Sequence, residues 1–310
     1  MGVEISDLSM IFLIAYCQLK TANYLTIFAP MFNSKDIADY YNQTVDHYEI
    51  WWNLKKSMAV HYGFWDKNTK SFNEALKNTN REMAKLAQLK PYHNVLDAGC
   101  GVGGAAFYLA STVGCHVTGI TLSDKQLKIA NEFKHSYENK NLVDFSLQDF
   151  TNTNFKPESF DVIWGCESTC YASPKINFIN EAKRLLKSNG ILIIADYFVE
   201  PKGLIDKDKY IKNWGDLWAI QEFHSQHNFI DELEKNGFEI EQNIDVSKHI
   251  FPSSKRMYYS YLVGAIPSKV YNLFNNTSRF GKKHYQSGYF QYKALVSELW
   301  SYRMLVVRKK

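Results

Sequence analysis

Cysteine is scarce: Cys17, Cys100, Cys115, Cys166 and Cys170 are the only five in 310 residues. They are odd in number and form no Cys-x-x-Cys pair, so neither a zinc knuckle nor a disulfide framework is expected, no metal site is called for, and a reducing cytoplasm is the natural compartment. Long apolar runs are also missing. Residues 8–16 are apolar but too short to span a bilayer and follow no basic leader, so neither stable membrane insertion nor a signal peptide is expected. Met1-Gly2-x-x-x-Ser6 fits the N-myristoylation pattern, which is short and permissive, and is read as coincidence. No block of one charge sign occurs. The 36 basic and 32 acidic residues leave a net charge of +4, which gives no electrostatic footprint for nucleic acid. Internal repeats and low-complexity stretches are absent.

What is present is an ordinary globular composition, 45% hydrophobic and 22% charged, enough for one large α/β domain with additions. Aromatic residues make up 15% of the chain, which predicts either an aromatic-lined cavity or a well-filled core. The stretch that organises the rest is Asn94-Val-Leu-Asp-Ala-Gly-Cys-Gly-Val-Gly-Gly104. A short apolar strand ends there in one carboxylate, then turns through glycines that let the backbone approach a ligand and opens a helix.

Around that turn the chain alternates strands and helices. Ser34 to about Trp52 repeats apolar residues at helical spacing, and Ser71 to Glu74 is a capping box opening a helix to about Leu89. Between them, His61-Tyr-Gly-Phe-Trp65 is an aromatic loop. Strands are expected at Cys115–Ile120, Asp144–Gln148, Phe160–Gly165, Ile191–Ala195, Phe238–Val246 and Trp300–Arg308. Helices are expected at Ser123–Glu138, Pro174–Lys187 and Asn228–Asn236. Strand, helix, strand in short order implies parallel pairing with right-handed crossovers. Residues 1–90 read as a helical cap and 91–310 as the main domain, in which 247–299 forms one or two helices covering the cleft before the last strand.

Ligands of open parallel sheets sit beyond the carboxyl ends of the strands, so residues just after each strand are the candidates. The spacing of Gly99, Gly101 and Gly104 also fits a dinucleotide fingerprint. Asp97 argues against it, because a carboxylate before the first glycine suits a cationic group and would repel a pyrophosphate. No acidic residue ends the second strand either. The turn instead resembles motif I of the class I S-adenosylmethionine-dependent methyltransferases, and Gly119-Ile-Thr-Leu-Ser-Asp-Lys-Gln126 and Glu167-Ser-Thr169 resemble the subgroup of sterol, tocopherol and geranyl diphosphate C-methyltransferases and cyclopropane synthases.

The resemblance implies an α/β fold, a Rossmann-like seven-stranded methyltransferase sheet with an N-terminal helical cap and a helical insertion before the last strand, its last two strands an antiparallel hairpin. It implies S-adenosyl-L-methionine as cofactor. Asp97, Gly99 and Gly101 would face its amino-acid end, Thr121, Leu122 and Gln126 its ribose and adenine, and Asp149 and Phe150 the adenine edge, with Cys166 beside them. Glu167 would face the transferable methyl and the acceptor, with Tyr171 and His61 as further catalytic candidates; His224 and His227 are other candidate bases. Positive charge moves to the acceptor in this reaction, and aromatic faces tolerate it, here Tyr40, Tyr41, Tyr62, Phe64, Trp65, Tyr171 and Tyr197. The expected reaction is methylation of a small, largely apolar acceptor, C-methylation of an isoprenoid or sterol-like alkene. Two alternatives stay open: N-methylation of a small amine or alkaloid-like substrate, and a non-catalytic protein binding the same cofactor. The oligomeric state is left open, a homodimer included.

Overall fold

The computed structural model describes residues 32–274 and 278–310; the Met1–Ser6 pattern, the apolar run 8–16 and Cys17 lie outside them. Seven strands form one sheet in the order β3-β2-β1-β4-β5-β7-β6. β1 (Asn94–Ala98), β2 (His116–Thr121), β3 (Val143–Leu147), β4 (Phe160–Cys166) and β5 (Leu186–Val199) pair in parallel. β7 (Trp300–Lys309) lies between β5 and β6 (Phe238–Asp245), antiparallel to both. The chain walks outward from β1 to β3 and then returns to β4 beside β1, so the order reverses at β1/β4 and a crevice opens beyond the ends of these strands.

The inner strands β1, β4, β5 and β7 are near-continuous apolar runs because both their faces are covered, whereas the edge strands β3 and β6 mix in polar, more exposed residues. Alternate residues divide between two clusters: Val95, Ile193 and Ala195 belong to one, Leu96, Leu192 and Ile194 to the other. α1 (Ser34–Trp52) precedes the sheet and has the range expected for it. Asn33 is its cap, accepting from the Asp36 N–H while the Asp36 carboxylate accepts from the Asn33 N–H, which leaves the Ser34 hydroxyl free to donate to Asp149 at 2.7 Å. A one-turn helix, α2 (Leu54–Ser57), and then α3 (Phe72–Leu86), capped by Ser71, lead into β1. α4 (Gly104–Thr112), α5 (Asp124–His135) and α6 (Lys175–Leu185) follow β1, β2 and β4.

Two elements differ from expectation. β5 extends on both sides of the expected 191–195: β7 pairs with it as far as Val199↔Trp300, and at its start Leu186 pairs with Phe160 of β4, so α6 ends at Leu185. α7 (Tyr210–Trp218) carries no legible signal: it begins after Lys209 at φ 58° and ends at Ala219 at φ 55°, non-glycine residues in a region that usually marks glycine. α8 (Gln226–Lys235) matches its expected place. The long connection before β7 holds two helices, α9 (Ser247–Phe274), with Pro252 and Pro267 inside it, and α10 (Ser287–Val296).

Gly104, the first residue of α4, sits hard against residue 58. A Cβ there would lie 1.9 Å from the Met58 carbonyl oxygen. Gly104→Ala is therefore expected to push residues 58–60 off the turn and lower stability by roughly 1–3 kcal/mol, the usual range for overpacking. Thermal unfolding checks this, and an unchanged midpoint would contradict the packing described.

Candidate active site

Beyond the β1/β4 crevice lies a cavity built from every strand end around it. Asp97, Gly99, Gly101 and Val102 come from the turn after β1, Thr121, Leu122 and Gln126 from the end of β2 and the start of α5, and Phe150 from beyond β3. Cys166, Glu167, Ser168 and Tyr171 come from the end of β4, and Ile37, Tyr41 and Tyr48 of α1 close the top. Gly101 has φ 54°, and a Cβ on it would meet nothing closer than Val60 at 3.6 Å and the Gln126 Nε2 at 3.9 Å. The position is open because it is a wall of the cavity.

Gln126 is positioned by a division of labour. Its backbone N–H donates to the Ser123 cap while its side-chain Oε1 accepts from the Thr121 hydroxyl at 2.8 Å. That fixes the amide with its NH2 turned toward Gly101, a donor for hydroxyl groups. Asp97 is 2% exposed, and neither its Oδ2 nor the Ser168 Oγ meets a hydrogen-bond partner among the described residues. Burial alone raises the Asp97 carboxyl from 3.8 to about 7. A buried carboxylate with a vacant lone pair is suited to a cationic ligand group.

Asp149 does not line the cavity. Its carboxylate accepts from Ser34 and from the Thr151 N–H and hydroxyl. Asn42 of α1, which sequence reading passed over, makes a second tie, to the start of α5: its amide donates to Asp124 at 2.6 Å and accepts from the Ser123 hydroxyl at 2.5 Å, and its carbonyl accepts from the Lys125 ammonium. α1 is thus tied at two points, to the segments that follow β3 and β2.

Glu167 is 7% exposed and has φ 51°, which turns its side chain inward from the end of β4. Oε1 accepts from the Tyr62 N–H at 2.6 Å and the Tyr302 hydroxyl at 2.7 Å, and Oε2 from the Tyr197 hydroxyl at 2.6 Å. Burial still outweighs these three donors and raises the carboxyl from 4.5 to about 8. Tyr302, in the last strand, carried no sequence signal for the site. Beside Glu167, the buried His61 donates from Nδ1 to the Tyr62 carbonyl at 2.9 Å. That bond fixes the tautomer, and burial lowers its pKa, so the ring is neutral with a bare Nε2.

A second cavity, of about 720 Å³, lies on the other side of this pair. Tyr48, Val60, His61, Glu167 and Trp218 line both cavities. α9 and α10 roof the second one through residues such as Met257, Tyr261, Pro267 and Gly288, while Trp52 and Tyr62 add aromatic wall. From the shared wall a hydrogen-bonded chain leads away: Tyr48 hydroxyl to Tyr40 hydroxyl (2.9 Å), Tyr40 to His284 Nε2 (3.0 Å), and His284 Nδ1 to His47 Nδ1 (3.2 Å).

The remaining candidates divide. Tyr41, Tyr171 and Tyr197 line the first cavity and Tyr62 the second. Phe64 stacks on His249 at 4.1 Å, and Trp65 donates to Ser253, both outside the two cavities. His224 faces Glu222 and His227 pairs with Asp231, and neither reaches the site.

The methyltransferase domain family matches residues 96–194, which span β1 to β5. The 27-O-demethylrifamycin SV methyltransferase of Amycolatopsis mediterranei is 29% identical over 63% of this chain and 71% of its own length. The sterol 24-C-methyltransferase of Debaryomyces hansenii is 26% identical over 68% of this chain and 55% of its own length. Residues 96–194 therefore carry a methyltransferase domain, and the chain is similar to S-adenosylmethionine-dependent methyltransferases over about two thirds of its length. The fold agrees: the cyclopropane synthase MmaA2 from Mycobacterium tuberculosis superposes with a TM-score of 0.77 over 90% of this chain and 99% of its own, at 13% identity. The methyltransferase is an enzyme, so the non-catalytic alternative falls away, and its cofactor is S-adenosyl-L-methionine. The orphaned Asp97 oxygen, the open wall at Gly101 and the Gln126 amide fit that molecule's ammonium, backbone and ribose.

The raised carboxyls give a pH test. Folding tightens the protons on Asp97 (3.8 to about 7) and Glu167 (4.5 to about 8), so the stability linked to them is present at low pH and lost as pH rises through 7 and 8. The buried histidines, with folded pKa values below 6.5, have completed their opposite effect by pH 6.5. The cofactor-free enzyme is therefore expected to lose a few degrees of thermal midpoint between about pH 6.5 and 8. The Asp97 share of the loss is complete by about pH 7 and the rest belongs to Glu167, so Asp97→Asn should flatten the slope below pH 7 and leave it above, and so should bound cofactor, whose ammonium would favour the charged carboxylate. A slope unchanged by both would contradict the environment described for Asp97.

Proposed function

We propose that this methyltransferase methylates a bulky, largely apolar small molecule held in the second cavity, at a carbon of an isoprenoid or sterol-like alkene. The observation that carries the reading is the shared wall: two cavities meet only across Tyr48, Val60, His61, Glu167 and Trp218 among the described residues. Bound in the first cavity, S-adenosylmethionine supplies an electrophilic methyl on a sulfonium. Asp97 would hold its ammonium, the backbone at Gly99 and Gly101 would lie along it, and Thr121, Leu122 and Gln126 would take the ribose and adenine, with Phe150 and Cys166 beside them. We assign Asp149, engaged with Ser34 and Thr151, to holding α1 over the cofactor, and Tyr171, against Tyr41, to the cofactor side.

The chain's own contribution is positioning in a dry site that tolerates positive charge. Tyr48 and Trp218 would present aromatic faces to the cation formed on the acceptor. Glu167, whose carboxyl burial raises to about 8, would ionise as positive charge develops beside it and stabilise that charge from the fixed place its three donors give it. The proton lost after methylation would pass to the bare Nε2 of His61, or through Tyr48 and Tyr40 toward His284 and His47.

A second reading, O-methylation of a hydroxyl on an equally bulky molecule, is favoured by His61, since a neutral imidazole base suits a hydroxyl proton. The rifamycin relative is named for transfer to oxygen and the sterol relative for transfer to carbon. N-methylation of a small amine fits less well, because such an acceptor leaves most of about 720 Å³ unfilled.

Incubation with methyl-labelled donor and a panel of sterols and prenyl alcohols, followed by NMR of the product, tests the reading. A carbon-bound label supports the first reading and an oxygen-bound label the second. Transfer to glycine or sarcosine alone would refute both. In Glu167→Gln the remaining carbonyl can still accept from Tyr62 and Tyr302 while the new amide donates to Tyr197, so the fold should persist. Turnover is expected to fall about a hundredfold with cofactor affinity nearly unchanged. Loss of cofactor binding with full turnover at saturation would move Glu167 to the cofactor.

A further inference from the structure

α9 has two faces of different purpose. Its inner side contributes Met257, Ser260, Tyr261, Pro267 and Ser268 to the second cavity. On its outer side Tyr259, Leu262, Val263, Ile266, Val270, Leu273 and Phe274 are all exposed, Ile266 by 73%, Leu273 by 79% and Phe274 by 83%. Their spacing of three and four residues puts them in one stripe, roughly 120° wide at about 100° per residue. An apolar stripe of this length facing outward is not the normal scatter of surface hydrophobics.

The charge around it is one-sided. Residues 246–297 contain eight cations, Lys248, Lys255, Arg256, Lys269, Arg279, Lys282, Lys283 and Lys293, and no Asp or Glu, although the whole chain is nearly balanced at 36 to 32. Lys255 and Lys269 are exposed on the same helix. Arg279 pairs with Asp36 of α1, but the helix itself carries no acidic residue, and an apolar helical stripe flanked by lysines complements an anionic lipid surface: side chains enter the headgroup boundary and the lysines meet the lipid phosphates and carboxylates. The same charge disfavours pairing of this face with a second copy of itself, since like charges would oppose. No described helix is long and apolar enough to cross a membrane, so α9 is suited to lie on one.

We propose that the outer stripe of α9 docks this enzyme onto an anionic membrane surface, with the helix lying in the interface plane and the second cavity directly beneath it. The value of this arrangement for admitting a lipid-soluble acceptor rests on the reading of that cavity given above; the docking does not, and its test needs no acceptor.

The full chain is floated with vesicles of phosphatidylcholine mixed with phosphatidylserine. The enzyme is expected to rise with these vesicles and to bind less as salt increases, because the lysine contribution is screened. Ile266→Glu combined with Leu273→Glu should weaken vesicle binding at least tenfold. Calorimetry of S-adenosylhomocysteine binding and the thermal midpoint, both unaffected in the double variant, would show that the fold is intact. Equal vesicle binding by parent and variant would overturn the proposal, as would failure of the parent to bind. So would sedimentation showing a parent dimer that the double variant converts to monomer, which would assign the stripe to a second copy.

Discussion

The interaction on which the site depends is the buried carboxylate of Glu167 and its three donors. One side chain ties four distant pieces of chain: the end of β4, the 60s loop through the Tyr62 N–H, β5 through Tyr197, and the last strand through Tyr302. A carboxylate this deeply buried is costly unless its lone pairs are satisfied, and here they are satisfied by groups that fold in from both ends of the sequence. Its left-handed backbone at φ 51° costs about 1 kcal/mol or more, and that strain persists because the three bonds leave the side chain nowhere else to go. The wall between the two cavities therefore exists only when β7 has paired with β5 and the loop after α2 has closed over the sheet.

The same economy explains α1. A helix that precedes the sheet in sequence contributes Ile37, Tyr41 and Tyr48 to the first cavity, and it is held by polar ties along its first half, Ser34 to Asp149 and Asn42 to Ser123 and Asp124. Ties of this kind are individually modest. Together with the apolar face beneath them they can hold a cover that is also able to open, which a site that must admit a cofactor and then exclude water requires.

Much of this was legible in the chain because the signals were local. The strand-turn-helix at 94–104, the Ser123 cap with Gln126 three residues on, and the apolar runs of β4 and β7 fix the sheet and the cofactor side. The parts that were not legible are those set by pairing across long separations. β5 grew past Ala195 because β7 lies along it; Tyr302 reached the site because of that same register. α7 has no glycine at its ends, and its first turn is capped by Asp206 from four residues before it, yet it delivers Trp218 to both cavities. Asp149 was read from its position after β3, but one of its oxygens is engaged by a helix 115 residues earlier and the other by Thr151.

The central claim is that the transferable methyl lies at the wall shared by the two cavities. Binding the donor with a carbon-13 label in its methyl group, together with an inert acceptor analogue, and recording nuclear Overhauser contacts from that methyl tests it directly. The account predicts contacts to the side chains of Tyr48, His61 and Trp218. Contacts confined to Leu122 and Phe150, at the opposite end of the first cavity, would contradict it.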